Sequence, residues 1–362
     1  MSYSGNKGEW SEIYTLLKLA GEKRVFAGDA NLDKIDNLFY PILKIIRSEK
    51  DETFFYTLDS KIIIKNSSDE IIDSFSFKEF SEKALELLHK IKSLGRNKSS
   101  IPEFDSFLRS IQCLNLSAKS SEKRDLTLIV HDPITQHEPK LGFSIKSRLG
   151  APATLINSTI GTNFEFEILD SLLSNEIINQ INNDNKPTKG KIQRRFQSIL
   201  DNGGRLRFHQ IIEKTFSQNL KVIDSNLPLI ISECLKLYYS GTARKIPEIV
   251  DHLNTINPCE YDLTDEHPFY KYKLKRLLYD SALGMVPATP WRGIIDATGG
   301  YLVVKEDGEI LCYHVYNENE FQEQLFQNSY FDTPSSTKHK FASIYKRNDK
   351  LYFRLNILVK FR

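Results

Sequence analysis

Residues 125–147 read DLTLIVHDPITQHEPKLGFSIKS, and their pattern decides the architecture. Leu126 to Val130 is an apolar run rich in β-branched residues. Leu141 to Ser147 is a second β run, and Pro133 and Pro139 mark a turn-rich loop between the two. This pattern predicts two antiparallel neighbouring strands. Successive side chains on a strand point to opposite faces, so Phe143 and Ile145 should enter the core while Ser144 and Lys146 project together. Asp125, at the head of the first strand, can approach that polar face.

A carboxylate and a lysine on a sheet surface suit phosphodiester hydrolysis. The carboxylate can hold Mg²⁺, and the lysine can orient water or stabilise the pentacovalent charge. Oxygen ligands without a His/Cys cluster point to Mg²⁺ rather than Zn²⁺. Spacing alone nevertheless favours a plain solvated hairpin, because Asp and Lys are common and edge lysines guard against strand pairing.

Working outward, Glu9 to Ala20 places Ile13, Leu16, Leu17 and Ala20 at helical spacing, with Gly21 as a stop. A second helix is expected from about Leu32 to Arg47, then a hairpin of Thr53 to Thr57 and Lys61 to Lys65. Helices are expected again over Phe77 to Leu94 and Ile101 to Leu114. Beyond the central strands, Ala151 to Thr159 reads as a short crossover. Phe164 to Ile168 reads as a third strand, with Phe164, Phe166 and Ile168 facing inward and Glu165 and Glu167 outward.

From Ser174 to about Met285 the pattern is helical, clearest over Leu227 to Tyr239 and Tyr270 to Leu283. The Asn-rich piece Asn175 to Lys189 reads as a loop or helix end. From Trp291 to Arg362 the chain turns β-rich, punctuated by Gly299-Gly300, Asp307-Gly308 and Asn348-Asp349. The expectation is an α+β or α/β protein: a core with N-terminal helices and an accessory hairpin over 1–170, a mainly helical region over 171–290, and a β-rich region over 291–362.

The 362 residues suit two domains, or one core with large insertions. Net charge is only +2, from 49 Lys and Arg against 47 Asp and Glu, so any nucleic-acid partner must be met by local rather than total charge. Cys113, Cys234, Cys259 and Cys312 lie far apart, which suggests neither a zinc site nor a disulfide framework. With no apolar leader and no run of membrane-spanning length, a cytoplasmic protein is expected.

The decisive context is wider. The stretches GNKGEWSEIYTLLKL (5–19), FAGDANLDKI (26–35), DLTLIVHDP (125–133), LGFSIKSRLGAPATLINST (141–159), TNFEFEI (162–168) and FDTPSSTKHKFASIYK (331–346) resemble HpaII-like type II restriction endonucleases. Several separate motifs in order, from the first helix to the last strands, carry more weight than any one of them. The resemblance implies a PD-(D/E)XK nuclease core, a mixed sheet flanked by helices. It also implies cleavage of double-stranded DNA at a short site, with CCGG as the expected sequence.

Two departures stand out. Arg124 occupies the Pro position of the motif, and Ser144 the position of its second acid, so a further carboxylate must come from elsewhere. Glu9 on the first helix is the leading choice, because nucleases of this superfamily often draw an acid from the N-terminal helix; favourable charge at a helix N-terminus is its alternative role. Glu165 and Glu167 follow, against a solvated strand face. Glu12 and Asp29 rank behind them. Metal ligands are thus expected from Asp125, the Ile145 carbonyl and Glu9, with Lys146 at the nucleophile. His131, Asp132, His137 and Glu138 read as a polar turn rather than a metal cluster.

For DNA contact, Lys189, Lys191, Arg194, Arg195, Arg205 and Arg207 concentrate positive charge around a helix and the Gly203-Gly204 turn. Ser147 and Arg148 suit phosphate contacts. Ser335, Ser336, Lys338 and His339 can donate to phosphates or base edges. The Lys271 to Arg276 group reads as a solvated face. A competing reading keeps the scaffold but loses cleavage, leaving a DNA-binding protein. Whether a homodimer or a monomer acts stays open at this stage.

Overall fold

The Leu126–Val130 and Lys140–Ser147 strands pair antiparallel, with Leu126 opposite Phe143 and Leu128 opposite Leu141. A computed structural model describes residues 3–49, 52–95, 97–117, 124–132, 136–184 and 190–361. On its other edge Lys140–Ser147 runs parallel to Gly300–Val304, which places Tyr301 beside Ser144 and Val303 beside Lys146. These strands belong to a nine-stranded mixed sheet ordered Arg24–Gly28, Ile310–His314, Gly300–Val304, Lys140–Ser147, Leu126–Val130, Lys34–Ser48, Thr53–Leu58, Ile62–Lys65 and Ile71–Phe75. Arg24–Gly28 also pairs with Lys34–Ser48, so the first six strands close into a barrel-like ring.

Two cores explain why Gly300–Val304 is apolar at every position. Leu302 and Val304 join a cluster with Trp10, Ile13, Leu17, Leu128, Phe143 and Ile145, whereas Tyr301 and Val303 face a second cluster built from the helices. A strand buried on both faces loses the usual alternation. Gly300 is required where this strand starts. Its φ is +96°, and an added Cβ would lie 2.0 Å from the Tyr313 carbonyl oxygen. Any side chain there would push Tyr301 out of register with Ser144.

The first helix, Lys7–Glu22, packs against the lysine strand and the Phe77–Ser93 helix through the stripe Trp10, Ile13, Leu17 and Ala20. Each fully buried large apolar side chain of that stripe stabilises the helix on its sheet by ~1.5–3 kcal/mol. The architecture is α+β. Two smaller antiparallel sheets complete it: Arg205–Ile211, Asn163–Leu169, Lys350–Asn356 and Tyr345–Arg347 in one, and Ala153–Ile156, Val359–Phe361 and Ser329–Phe331 in the other. The helices Leu227–Tyr239 and Phe269–Leu283 lie where the sequence predicts.

Several expectations need correction. The helix expected over Leu32 to Arg47 is a strand, Lys34–Ser48. Pro41 cannot sit inside a helix, and the Ile-rich, aromatic composition around it fits a pleated surface. The ladder is irregular between Ile42 and Lys44, the kind of place where proline is tolerated. The helix expected over Ile101 to Leu114 shrinks to a turn at Pro102–Phe104 and a helix at Asp105–Ser110. The crossover over Ala151 to Thr159 contains the Ala153–Ile156 strand.

Within the region expected to be helical, Arg205–Ile211 is a strand, in keeping with the period-two alternation of Leu206 and Phe208 with polar residues. The Asn175–Asn182 helix begins where a loop or helix end was expected, and Lys189 lies outside the described residues. The main sheet draws on both ends of the chain, since Gly300–Val304 is inserted beside the lysine strand. Among the described residues no helix is long and apolar enough to cross a membrane.

Candidate active site

At the head of Leu126–Val130 the Asp125 amide donates to the Phe143 carbonyl at 2.7 Å, and this turns the carboxylate toward the end of the neighbouring strand. Asp125 Oδ2 accepts from the Ile145 amide at 2.6 Å and from the Ser144 hydroxyl at 3.1 Å. Lys146 Nζ donates to Ser144 Oγ at 2.9 Å. Asp125 and Lys146 are thus joined through a serine hydroxyl that uses both its lone pair and its proton.

Phe143 and Ile145 are buried in the core, so Ser144 and Lys146 share the opposite face, as alternation predicts. Ser144 itself is 3% exposed, which makes its two hydrogen bonds necessary rather than incidental. Beside them the Lys146 ammonium lies over the Tyr301 ring, 4.9 Å from its centre. Loss of surrounding water pulls the Lys146 pKa below its ordinary value, against the opposing pull of Asp125 and Glu12.

On the first helix, the charge of Glu12 favours the protonated form of Lys146. Glu9 is committed elsewhere. It occupies the third position of the helix, where Oε2 accepts from the Asn6 amide at 2.6 Å while the Asn6 side chain accepts from the Glu9 amide, a reciprocal capping box. Its other oxygen pairs with Lys98 at 3.0 Å. The Asn6-x-x-Glu9 spacing is a capping signature legible in the sequence. Ser11, adjacent to Glu12, shares a hydrogen bond of 2.7 Å with Ser147, tying the helix to the end of the lysine strand.

Glu167 stands apart from this group. It lies on the separate Arg205–Ile211 and Lys350–Asn356 sheet, and its carboxylate is held by Arg207 at 2.6 Å and Lys350 at 2.9 Å. Those two partners hold its pKa down at about 2. Glu165, expected to face solvent, has no exposed surface and is held by Tyr345, Arg347, Arg354 and Gln210. Asp29 spends its carboxylate on its own turn, accepting from the Asn31 and Asp33 amides.

The basic residues also separate. Arg195 is turned inward, 5% exposed, and braces the Ala342 carbonyl, Ser343 and the Asn182 carbonyl, a place in the interior rather than one open to phosphates. Arg194 pairs with Asp184 at 2.9 Å, and Lys191 opens the same helix. Arg205 pairs with Asp170. Ser335 caps the short Ser336–His339 helix by accepting from the Lys338 amide, and His339 is buried against Ser158. Lys146, Ser147 and Arg148 line a pocket of about 150 Å³ with Gly150, Pro152, Ala153 and Phe361. In the loop after Val130, the Asp132 amide donates to the His137 carbonyl, as a polar turn would.

Among the described residues no group of three or more His, Cys, Asp or Glu side chains is gathered for a closed cage. The Asp125 carboxylate and main-chain oxygens are hard donors, the kind taken by an ion such as Mg²⁺ that keeps several of its waters.

A family model for the HpaII restriction endonuclease matches residues 6–361. The chain is 42% identical over 367 positions to the type II restriction enzyme HpaII of Haemophilus parainfluenzae, across 99% of this chain and 99% of that protein. No solved structure matches the chain.

Proposed function

The chain belongs to the HpaII restriction endonuclease family and is a type II site-specific deoxyribonuclease, and on that footing we propose that Asp125, Glu12 and Lys146 carry out Mg²⁺-dependent hydrolysis of duplex DNA at CCGG on a PD-(D/E)XK core. The observation that carries this reading is the chain of hydrogen bonds from Asp125 through Ser144 to Lys146 across two adjacent strands. A mixed sheet with a helix packed on the lysine strand is the setting such a core calls for.

Asp125 and Glu12 would hold the metal, with the Ile145 carbonyl as a further ligand. A residue's amide and carbonyl point to the same edge of a strand, and the Ile145 amide already faces Asp125, so its carbonyl opens on the same side. When bound, Mg²⁺ supplies a polarised phosphate and a more acidic water. Lys146 orients the attacking water and stabilises charge as a water oxygen bonds to phosphorus and one ester P–O bond breaks. Ser144 adds no charge. It fixes the distance between the carboxylate and the ammonium, and the acid that the motif would place there comes instead from the first helix.

Digestion of a fully sequenced plasmid with Mg²⁺, followed by mapping of the ends, tests substrate, metal and site together. Ends confined to CCGG and abolished by chelator are the expected outcome. Cleavage that persists in chelator, or ends at another sequence, overturns the corresponding part. The competing reading, a DNA-binding protein without cleavage, requires intact plasmid in every condition.

A further inference from the structure

The sheet formed by Arg205–Ile211, Asn163–Leu169, Lys350–Asn356 and Tyr345–Arg347 buries Phe164, Phe166, Leu206 and Phe353 on one face. The other face has an unusual composition. Glu165 and Glu167 lie at its floor, 0% and 7% exposed, beneath a canopy of cations. Arg347 and Arg354 hold Glu165 at 2.6 and 3.0 Å, while Arg207 and Lys350 hold Glu167.

Each acid therefore carries two cations, although one would neutralise it. A buried carboxylate needs compensation to be tolerated, but the second cation leaves the face with surplus positive charge. That surplus is outward: the Arg207 and Lys350 side chains are 60% and 56% exposed. The arginines are also braced sideways, Arg347 over the Tyr352 ring at 4.3 Å and Arg354 over Tyr345 at 4.7 Å. Guanidinium groups anchored on one edge and stacked on one face lose little freedom on meeting an anion.

Both inner strands of this sheet lead to the reaction centre. Lys350–Asn356 continues into Val359–Phe361, and Asn163–Leu169 follows Ala153–Ile156; Phe361 and Ala153 line the pocket beside Lys146, Ser147 and Arg148. We propose that this sheet face grips the phosphate backbone of duplex DNA through Arg207, Lys350, Arg347 and Arg354, with Glu165 and Glu167 as positioning residues. This rests on duplex DNA being the substrate. It moves Glu167 from the chemistry to the grip, and it adds cations from the C-terminal strands that sequence spacing left unmarked.

The test is equilibrium binding of a 30-base-pair duplex in chelator, so that no cleavage occurs, over a salt series. The variant is Glu167→Gln with Arg207→Gln and Lys350→Gln, which leaves no unpaired carboxylate behind. Two lost phosphate contacts should reduce the slope of log K against log salt by about 1.8, at roughly 0.9 per contact. Exchanging Arg207→Lys and Lys350→Arg should keep most of the slope. Should the triple variant fail to melt cooperatively, Lys350→Gln alone should still reduce the slope by about 0.9. A folded variant with the wild-type slope overturns the proposal, as does a variant changed only in self-association by sedimentation. If instead the nuclease reading fails, wild-type protein leaves plasmid intact with Mg²⁺, whatever the binding slopes show.

Discussion

The Ser144 hydroxyl donates to Asp125 Oδ2 at 3.1 Å. Because the same oxygen accepts from Lys146, it sets the spacing between a carboxylate and an ammonium that do not need to touch. Hydrogen bonds to charged groups contribute roughly 1.5–3 kcal/mol, equivalent to about 10- to 100-fold in rate. Ser144→Ala is expected to lower kcat by at least ~10-fold with KM little changed. Steady-state kinetics on a short duplex checks this, and full turnover would remove the bridge from the mechanism.

Glu9 and Glu12 make a second comparison, one turn apart on one helix. Glu9→Ala should leave cleavage intact and lower the melting temperature, since it removes the acceptor for the Asn6 amide and the partner of Lys98. Glu12→Gln should do the reverse, raising the Mg²⁺ concentration needed for half-maximal rate and lowering the rate by ~100-fold or more. Paired thermal melts and metal titrations read both effects. Loss of activity in the Glu9 variant alone would return the role to Glu9.

Tyr301 presents its ring to Lys146 and is itself held by Phe321 and Phe361. Tyr301→Phe keeps the ring and should retain most of kcat, whereas Tyr301→Leu should lose it beyond what its melting temperature explains. Burial lowers the Lys146 pKa, so raising the pH removes its proton earlier than from an ordinary lysine, and cleavage should decline on that alkaline side. Lys146→Arg cannot lose its charge there, so any residual activity should show no such decline. A pH profile of single-turnover rates distinguishes the two behaviours.

Acid stability tests the Glu165 hub. Burial would raise this carboxyl, but hydrogen bonds from Tyr345, Arg347, Arg354 and Gln210 outweigh it and hold the pKa at about 2. With an unfolded value near 4.3, the stabilisation is present above that pH and is lost as pH falls toward about 2. Glu165→Gln should flatten the denaturation profile across this window. An unchanged acid limb would mean that the hub contributes nothing to the folded state.

The strand pair around Asp125 and Lys146 was legible because period-two alternation and a proline-rich loop are local signals. The first helix is legible from its apolar stripe, and of the two roles open to Glu9, metal ligand or helix N-terminal charge, the structure shows the N-terminal one. What stayed hidden is non-local. Nothing in Gly300 to Val304 announces parallel pairing with Lys140 to Ser147, and only that pairing brings Tyr301 to Lys146. Likewise, the alternation at Glu165 and Glu167 was read correctly as one shared face, but the arginines that bury it come from residues almost two hundred positions away. Pro41 is a local signal of the opposite kind, since it forbids the helix that its neighbours suggest.

Single-turnover cleavage of a CCGG duplex by Lys146→Ala, beside wild-type protein at saturating Mg²⁺, tests the central claim most directly. A fall of about 100- to 1,000-fold, with duplex binding in chelator unchanged, is the outcome expected if the lysine stabilises charge at the reacting phosphate. Cleavage at the wild-type rate would contradict the assignment of the site.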